Sequence, residues 1–278
     1  MLDLLRTSMG KQTRTTMKQI TLISLYGKKN KDFAALIERC QEFVRSAAGV
    51  VFAPYDSSQI HGTIIGLELG AASALHNANF AKYRSREVVM DLDGFFNYLR
   101  RCGHFPLEVQ IGAYDKRDYP FTSRQTIPYE RSFSIQNDRI VMMGWPIRGN
   151  PSLVTPATPC AWVQEARLYP LTLDVIRHAA QGFGVLHSYH RELNDVDNDL
   201  FFRIGLVDPK SLTEQARRAL EGEVRQFLSK QVPLVLDLRL DDIFVAVYED
   251  DTLPPSSTQV WPLTDPKVNQ EFVLSHLD

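Results

Sequence analysis

His61 and Thr63 stand two residues apart in the run Gln59-Ile60-His61-Gly62-Thr63-Ile64-Ile65-Gly66-Leu67. The run reads as a strand, and side chains on a strand alternate between faces, so the imidazole and the hydroxyl share one face. An imidazole exchanges a proton near neutral pH and a hydroxyl donates to an anionic oxygen, which suits the pair to phosphate chemistry. Gly62 between them lets another chain or a ligand come close. The plain alternative is a half-buried strand whose polar groups bond only to neighbours. Two more histidines, His187 and His190 in His187-Ser188-Tyr189-His190, precede the apolar run Leu200 to Val207 and read either as surface or packing groups or as a second proton-transfer centre. Arg203 lies inside that run, where a buried charge requires a carboxylate partner or a bound phosphate.

The elements that must position these groups follow from periodicity. Ile20 to Tyr26 is strand-like. Phe33, Leu36, Ile37, Cys40, Phe43, Val44 and Ala47 recur at helical spacing, with Asp32 placed to cap and Gly49 to end the element. Val50 to Tyr55 and Gln59 to Leu67 are further strands. Leu92, Phe95, Phe96 and Leu99 make a short helix stopped at Gly103, and Leu107 to Tyr114, Arg131 to Ile135 and Arg139 to Trp145 form an antiparallel meander turning at Asn137 and Asp138. The stretch from Pro146 to Pro159 reads as a surface loop. Leu171 to Phe183 is another amphipathic helix, and Leu200 to Val207 a strongly apolar strand. Ser211 and Glu214 read as a capping box for a long helix through Leu228, and strands follow around Val232 to Leu238, Ile243 to Tyr248 and Val260 to Leu263. The order strand, helix, strand occurs twice, so the economical architecture is α+β: a two-lobed antiparallel sheet with outer helices, in one bilobal domain over 17–278 behind a flexible tail at 1–16.

The 278 residues carry 31 Lys plus Arg against 33 Asp plus Glu, a net charge of -2. This balance excludes a global basic field for holding long duplex nucleic acid, so any nucleic-acid ligand is small or held locally. Cys40, Cys102 and Cys160 lie far apart without a CxxC pair, which reads as buried thiols in a reducing compartment. No run of 18 apolar residues suggests a membrane span, and residues 1–16 lack the apolar stretch of a secretory signal, so the cytoplasm is the default location. Nucleotide-binding glycine motifs, a GxSxG elbow and HExxH are missing. Asp195-x-Asp197-x-Asp199 begins like a calcium loop, but Leu200 and Leu206 stand where Gly and Glu are needed. The acidic turn Glu249-Asp250-Asp251 reads as a solvated loop.

With His61-Gly62-Thr63 on its strand, the sequence resembles the two-histidine (2H) phosphoesterase superfamily, the LigT-like group, whose members carry an H-x-T/S motif in each of two related lobes. The resemblance extends from Ile20 to Leu263 and includes the closing segment Leu240 to Leu263, with a Tyr near the end of a strand, a polar turn and a final Pro-Leu. It implies a pseudo-twofold fold. It also implies a metal-independent phosphodiesterase, without cofactor, acting on a 2′,3′-cyclic or 2′-linked nucleotide or an RNA end, one histidine activating water or a hydroxyl and the other protonating the departing oxygen.

The strand that should hold the second motif, Asn198 to Leu206, contains no histidine. Matching Ile204-Gly205-Leu206 to Ile65-Gly66-Leu67 puts Leu200 and Phe202 in the motif positions, a two-residue slip puts Phe202 and Ile204 there, and a one-residue slip points Phe201 and Arg203 into the cleft. His61 and Thr63, with His187 or His190 as the replacement acid, are therefore the candidate catalytic residues, and Arg203, Phe202 and Tyr26 the candidate substrate contacts. The competing expectation is a catalytically inactive protein on the same fold that binds a phosphorylated ligand or a protein partner.

Overall fold

A computed structural model, describing residues 17–70, 75–148 and 169–277, shows a mixed α/β chain built on a ten-stranded antiparallel sheet. In chain order the first half comprises β1 (Gln19–Ser24), α1 (Lys31–Ser46), β2 (Phe52–Pro54), β3 (Gly62–Gly66), α2 (Ala78–Arg84), α3 (Leu92–Arg101), β4 (Leu107–Ile111), α4 (Pro128–Arg131) and β5 (Phe133–Gln136). The second half comprises β6 (Arg139–Arg148), α5 (Thr172–Ala180), β7 (Leu200–Val207), α6 (Glu214–Ser229), β8 (Leu234–Leu238), β9 (Ile243–Tyr248), β10 (Thr258–Pro262) and α7 (Gln270–Leu274). The sheet runs β10-β9-β1-β3-β7-β6-β4-β8, with β2 added on β7 and β5 on β6.

Helices α1, α3, α5 and α6 lay their apolar stripes on one face of the sheet and share one contiguous core with its inward residues. In α1 the stripe is Phe33, Leu36, Ile37, Cys40 and Val44. The cap is Asn30 and not Asp32: the Asn30 side chain accepts from the Phe33 N–H, while Asp32 sits in the first turn against the positive helix end. Likewise α6 is capped by Thr213, which accepts from Ala216, and Ser211 belongs to the preceding short turn. Asn137 takes φ 58 in the hairpin joining β5 and β6, as a tight turn demands.

Some boundaries differ from the periodicity reading. Pro128 opens a single helical turn, so β5 starts at Phe133 and not at Arg131. Pro146 to Arg148 extend β6, and the rest of the expected proline loop, like the expected tail at 1–16 and Cys160, lies outside the described residues. Cys40 is buried, whereas Cys102 at the end of α3 is only partly so. Among the described residues no helix is long and apolar enough to cross a membrane.

Candidate functional site

The middle of the sheet is where β3 meets β7, and the one ladder pair there is Gly62 with Phe202. The approach is close: a Cβ on Gly62 would lie 2.7 Å from Ser24 Oγ and 2.9 Å from Leu200 Cδ1. His61 and Thr63 flank Gly62, Phe201 and Arg203 flank Phe202, and all four line one cavity of about 210 Å³ on the sheet face away from the core. The expectation that Phe202, paired with Leu200 or Ile204, faces this space is overturned. Leu200, Phe202 and Ile204 are fully buried on the helix side, where the Phe202 ring meets Phe33 of α1 edge-on at 4.9 Å. Alternation along β7 then leaves Phe201 and Arg203 for the cavity.

The other strand departs from simple alternation. Leu22 pairs with Ile65 but Ile23 with Thr63, so Ile64 is an extra residue, a bulge in the β1–β3 ladder. The bulge resets the facing of the strand, and Thr63, Gly66 and Glu68 all line the cavity. Fully buried Arg177 of α5 holds it in place, its guanidinium donating to the carbonyls of Ile64 (2.9 Å), Thr63 (3.1 Å), Asp197 (2.8 Å) and Asp199 (2.9 Å). One side chain thus ties the motif strand to the start of β7.

His61 lies just ahead of β3. Its Nδ1 donates to the Gln59 carbonyl at 2.7 Å, which leaves the Nε2 lone pair for chemistry. Burial, with Arg203 and Lys29 nearby, pushes its pKa down to about 4, so the ring is neutral at pH 7. Tyr26 touches the His61 ring with centroids 6.1 Å apart and donates its hydroxyl to the Leu253 carbonyl; it supports His61 and is not among the cavity-lining residues.

Of the two later histidines, the structure brings one to the site. His187 lines the cavity, and its Nε2 donates to Asp197 at 2.8 Å. Its Nδ1 is buried with no partner among the described residues. Burial, and then Arg177, lowers its pKa to about 3. Burial works against the Asp197 charge, but Arg177, His187 and Arg124 together hold that carboxylate well below its usual range. His190 is fully buried away from the cavity, bonded to Asp174 at 2.9 Å and stacked on His178 at 4.1 Å.

Among the cavity residues that the sequence did not single out are Arg139, Glu68, Tyr248 and Asp251. Asp251, expected in a solvated turn, accepts from both Arg139 and Arg203, with Arg203 also donating to its backbone carbonyl at 3.0 Å. Arg203 therefore has its carboxylate partner. Burial raises the Glu68 carboxyl, whose Oε2 accepts from Asn79 at 2.9 Å. Burial also pushes the Tyr248 hydroxyl up to about 12, keeping it a hydrogen-bond donor. Only Tyr248, near the end of its strand, had a signal in the closing-segment pattern; Glu68 reaches the site through the bulge, Asp251 through the β9–β10 turn and Arg139 from the start of β6.

Asp174, His178 and His190 place candidate ligand atoms within 4.8 Å of one another. The two imidazole rings stack at 4.1 Å and only 18° from parallel, so their planes meet far beyond the reach of ring lone pairs that would have to share one ion. The cluster is a hydrogen-bonded support for the loop carrying His187. Asp197 and Asp199 face Arg124, Arg131 and Arg177 and the Trp145 N–H (2.7 Å to Asp199), so the calcium-like spacing is spent on protein partners.

In comparisons with family models and with curated proteins the chain matches none, so its functional reading rests on its own residues.

Proposed function

We propose that this cavity belongs to a metal-independent phosphodiesterase acting on a 2′,3′-cyclic or 2′-linked nucleotide or an RNA end. The observation that carries the reading is the convergence of His61, Thr63, His187 and Arg203 on one cavity, with Asp197 bonded to His187. The strand order supports the 2H-like, LigT-like resemblance. Outward from the centre one side reads β3-β1-β9-β10 and the other β7-β6-β4-β8, and a helix links β1 to β3 as another links β6 to β7. A twofold axis at the Gly62–Phe202 pair matches His61 with Phe201 and Thr63 with Arg203. His187 then supplies from a loop the imidazole that β7 lacks.

In hydrolysis, water adds to phosphorus and gives its proton to His61 Nε2. The bond from phosphorus to the 2′ oxygen breaks, and that oxygen takes a proton from the His187 imidazolium, which Asp197 stabilises. An anion in the cavity favours that protonated form against burial and Arg177. Thr63, Arg203 and Arg139 stabilise charge on the phosphoryl oxygens.

A second reading, an inactive phosphate-binding protein, is favoured by Phe201 and Arg203 in the second motif positions and by two imidazoles held neutral. Assay of 2′,3′-cyclic nucleotide hydrolysis in EDTA separates the two. His61→Ala and His187→Ala should each lose about 10²–10⁴-fold, while His190→Gln retains the rate. Loss with His61→Ala alone assigns the second proton to solvent, and a wild type that binds nucleotide without turnover establishes the second reading.

A further inference from the structure

The cavity does not end at His61. Arg139, Arg203, Phe201 and Tyr189 are shared with a narrow gap beside it, and Arg124 and Tyr189 are shared between that gap and a larger hollow of about 650 Å³. The three adjoin along these shared walls and together line one groove-like track. Along it cations and rings alternate: Arg203 and Arg139 come first, then the Arg124 guanidinium 3.3 Å above the Tyr189 ring, then Phe121 and Tyr169 with centroids 4.8 Å apart. Arg124 is already bonded to Asp197, so the residue between the gap and the hollow also belongs to the network behind His187.

Alternating positive charge and aromatic rings is the pattern by which proteins hold a single nucleic-acid strand, the cations following phosphates and the rings stacking bases whatever their sequence. Here the partly exposed rings are Tyr189 and Tyr169, with Phe121 buried behind the latter. A ligand confined to the 210 Å³ cavity leaves the 650 Å³ hollow unused. We infer that the substrate is an oligonucleotide: its terminal phosphate sits between His61 and Arg203, its next phosphate at Arg139 and Arg124, and the base on its 5′ side stacks on Tyr169, which Phe121 backs from the core. The inference rests on the proposed function and narrows it from a free nucleotide to an RNA end. The net charge of -2 agrees with this local grip, since the groove's few arginines suffice for a short strand.

Calorimetry with 3′-phosphorylated uridine as a mononucleotide and as a trinucleotide tests it in the wild type, Tyr169→Ala and Tyr169→Phe. The trinucleotide should bind about tenfold more tightly than the mononucleotide to the wild type and to Tyr169→Phe, which keeps the ring. In Tyr169→Ala the ratio should fall to near one. Equal wild-type affinities overturn the groove and leave the cavity reading standing, whereas no binding of either probe overturns both. A length advantage that persists in Tyr169→Ala removes the stacking site.

Discussion

Gly62 and Phe202 face each other as the one pair joining β3 to β7, and their neighbours make the site: His61 and Thr63 on one side, Phe201 and Arg203 on the other. The smallest residue at this point is a packing requirement, because Ser24 and Leu200 occupy the space a side chain would need. Gly62→Ala should cost about 1–3 kcal/mol in urea unfolding, as overpacking does. Gly222→Ala on α6, where no other described residue would lie within 4 Å of the added methyl group, should instead be neutral or stabilising. Equal effects at the two positions would contradict this account.

Arg177→Leu should destabilise by about 3–5 kcal/mol, because it leaves four carbonyls and the buried Asp197 carboxylate without their cation. Arg177→Lys should recover only part of that, since an ammonium cannot span both strands as a planar fork does. The urea midpoint of the two variants is the measurement.

Stability should fall on acidification. The folded His61 and His187 have pKa values of about 4 and about 3, whereas an unfolded histidine titrates near 6.5. Between those values the unfolded chain holds more protons, so stability is full above about pH 6.5 and is lost as pH falls towards 4. His61→Gln should flatten that slope by about 1–3 kcal/mol over the window. An unchanged slope would place the His61 pKa near its ordinary value.

Asp251 competes with any anion for Arg139 and Arg203. Asp251→Asn should therefore raise inorganic phosphate affinity about two- to fivefold, a modest gain because the pair is partly exposed to solvent. Arg203→Ala should lower it, and added salt should weaken binding only slightly because few counterions are released. Titration by calorimetry at two salt concentrations reads all three.

The sequence by itself determined the elements and one half of the site. Apolar spacing marked α1, α3, α5, α6 and nearly all the strands, because burial of one face imposes a period on the chain wherever an element packs. His61 and Thr63 were legible because two residues of strand hold them on one side. Tertiary structure decided everything that depended on register or on distant partners. A one-residue choice moves the whole of β7 between core and cavity, and only the packing of Phe202 on Phe33 selects Phe201 and Arg203 for the cavity. The bulge at Ile64 depends on carbonyl bonds to Arg177, 113 residues away. The choice between His187 and His190, three residues apart, depends on which carboxylate each meets, Asp197 at the cavity or Asp174 within the core, and no local pattern encodes that pairing.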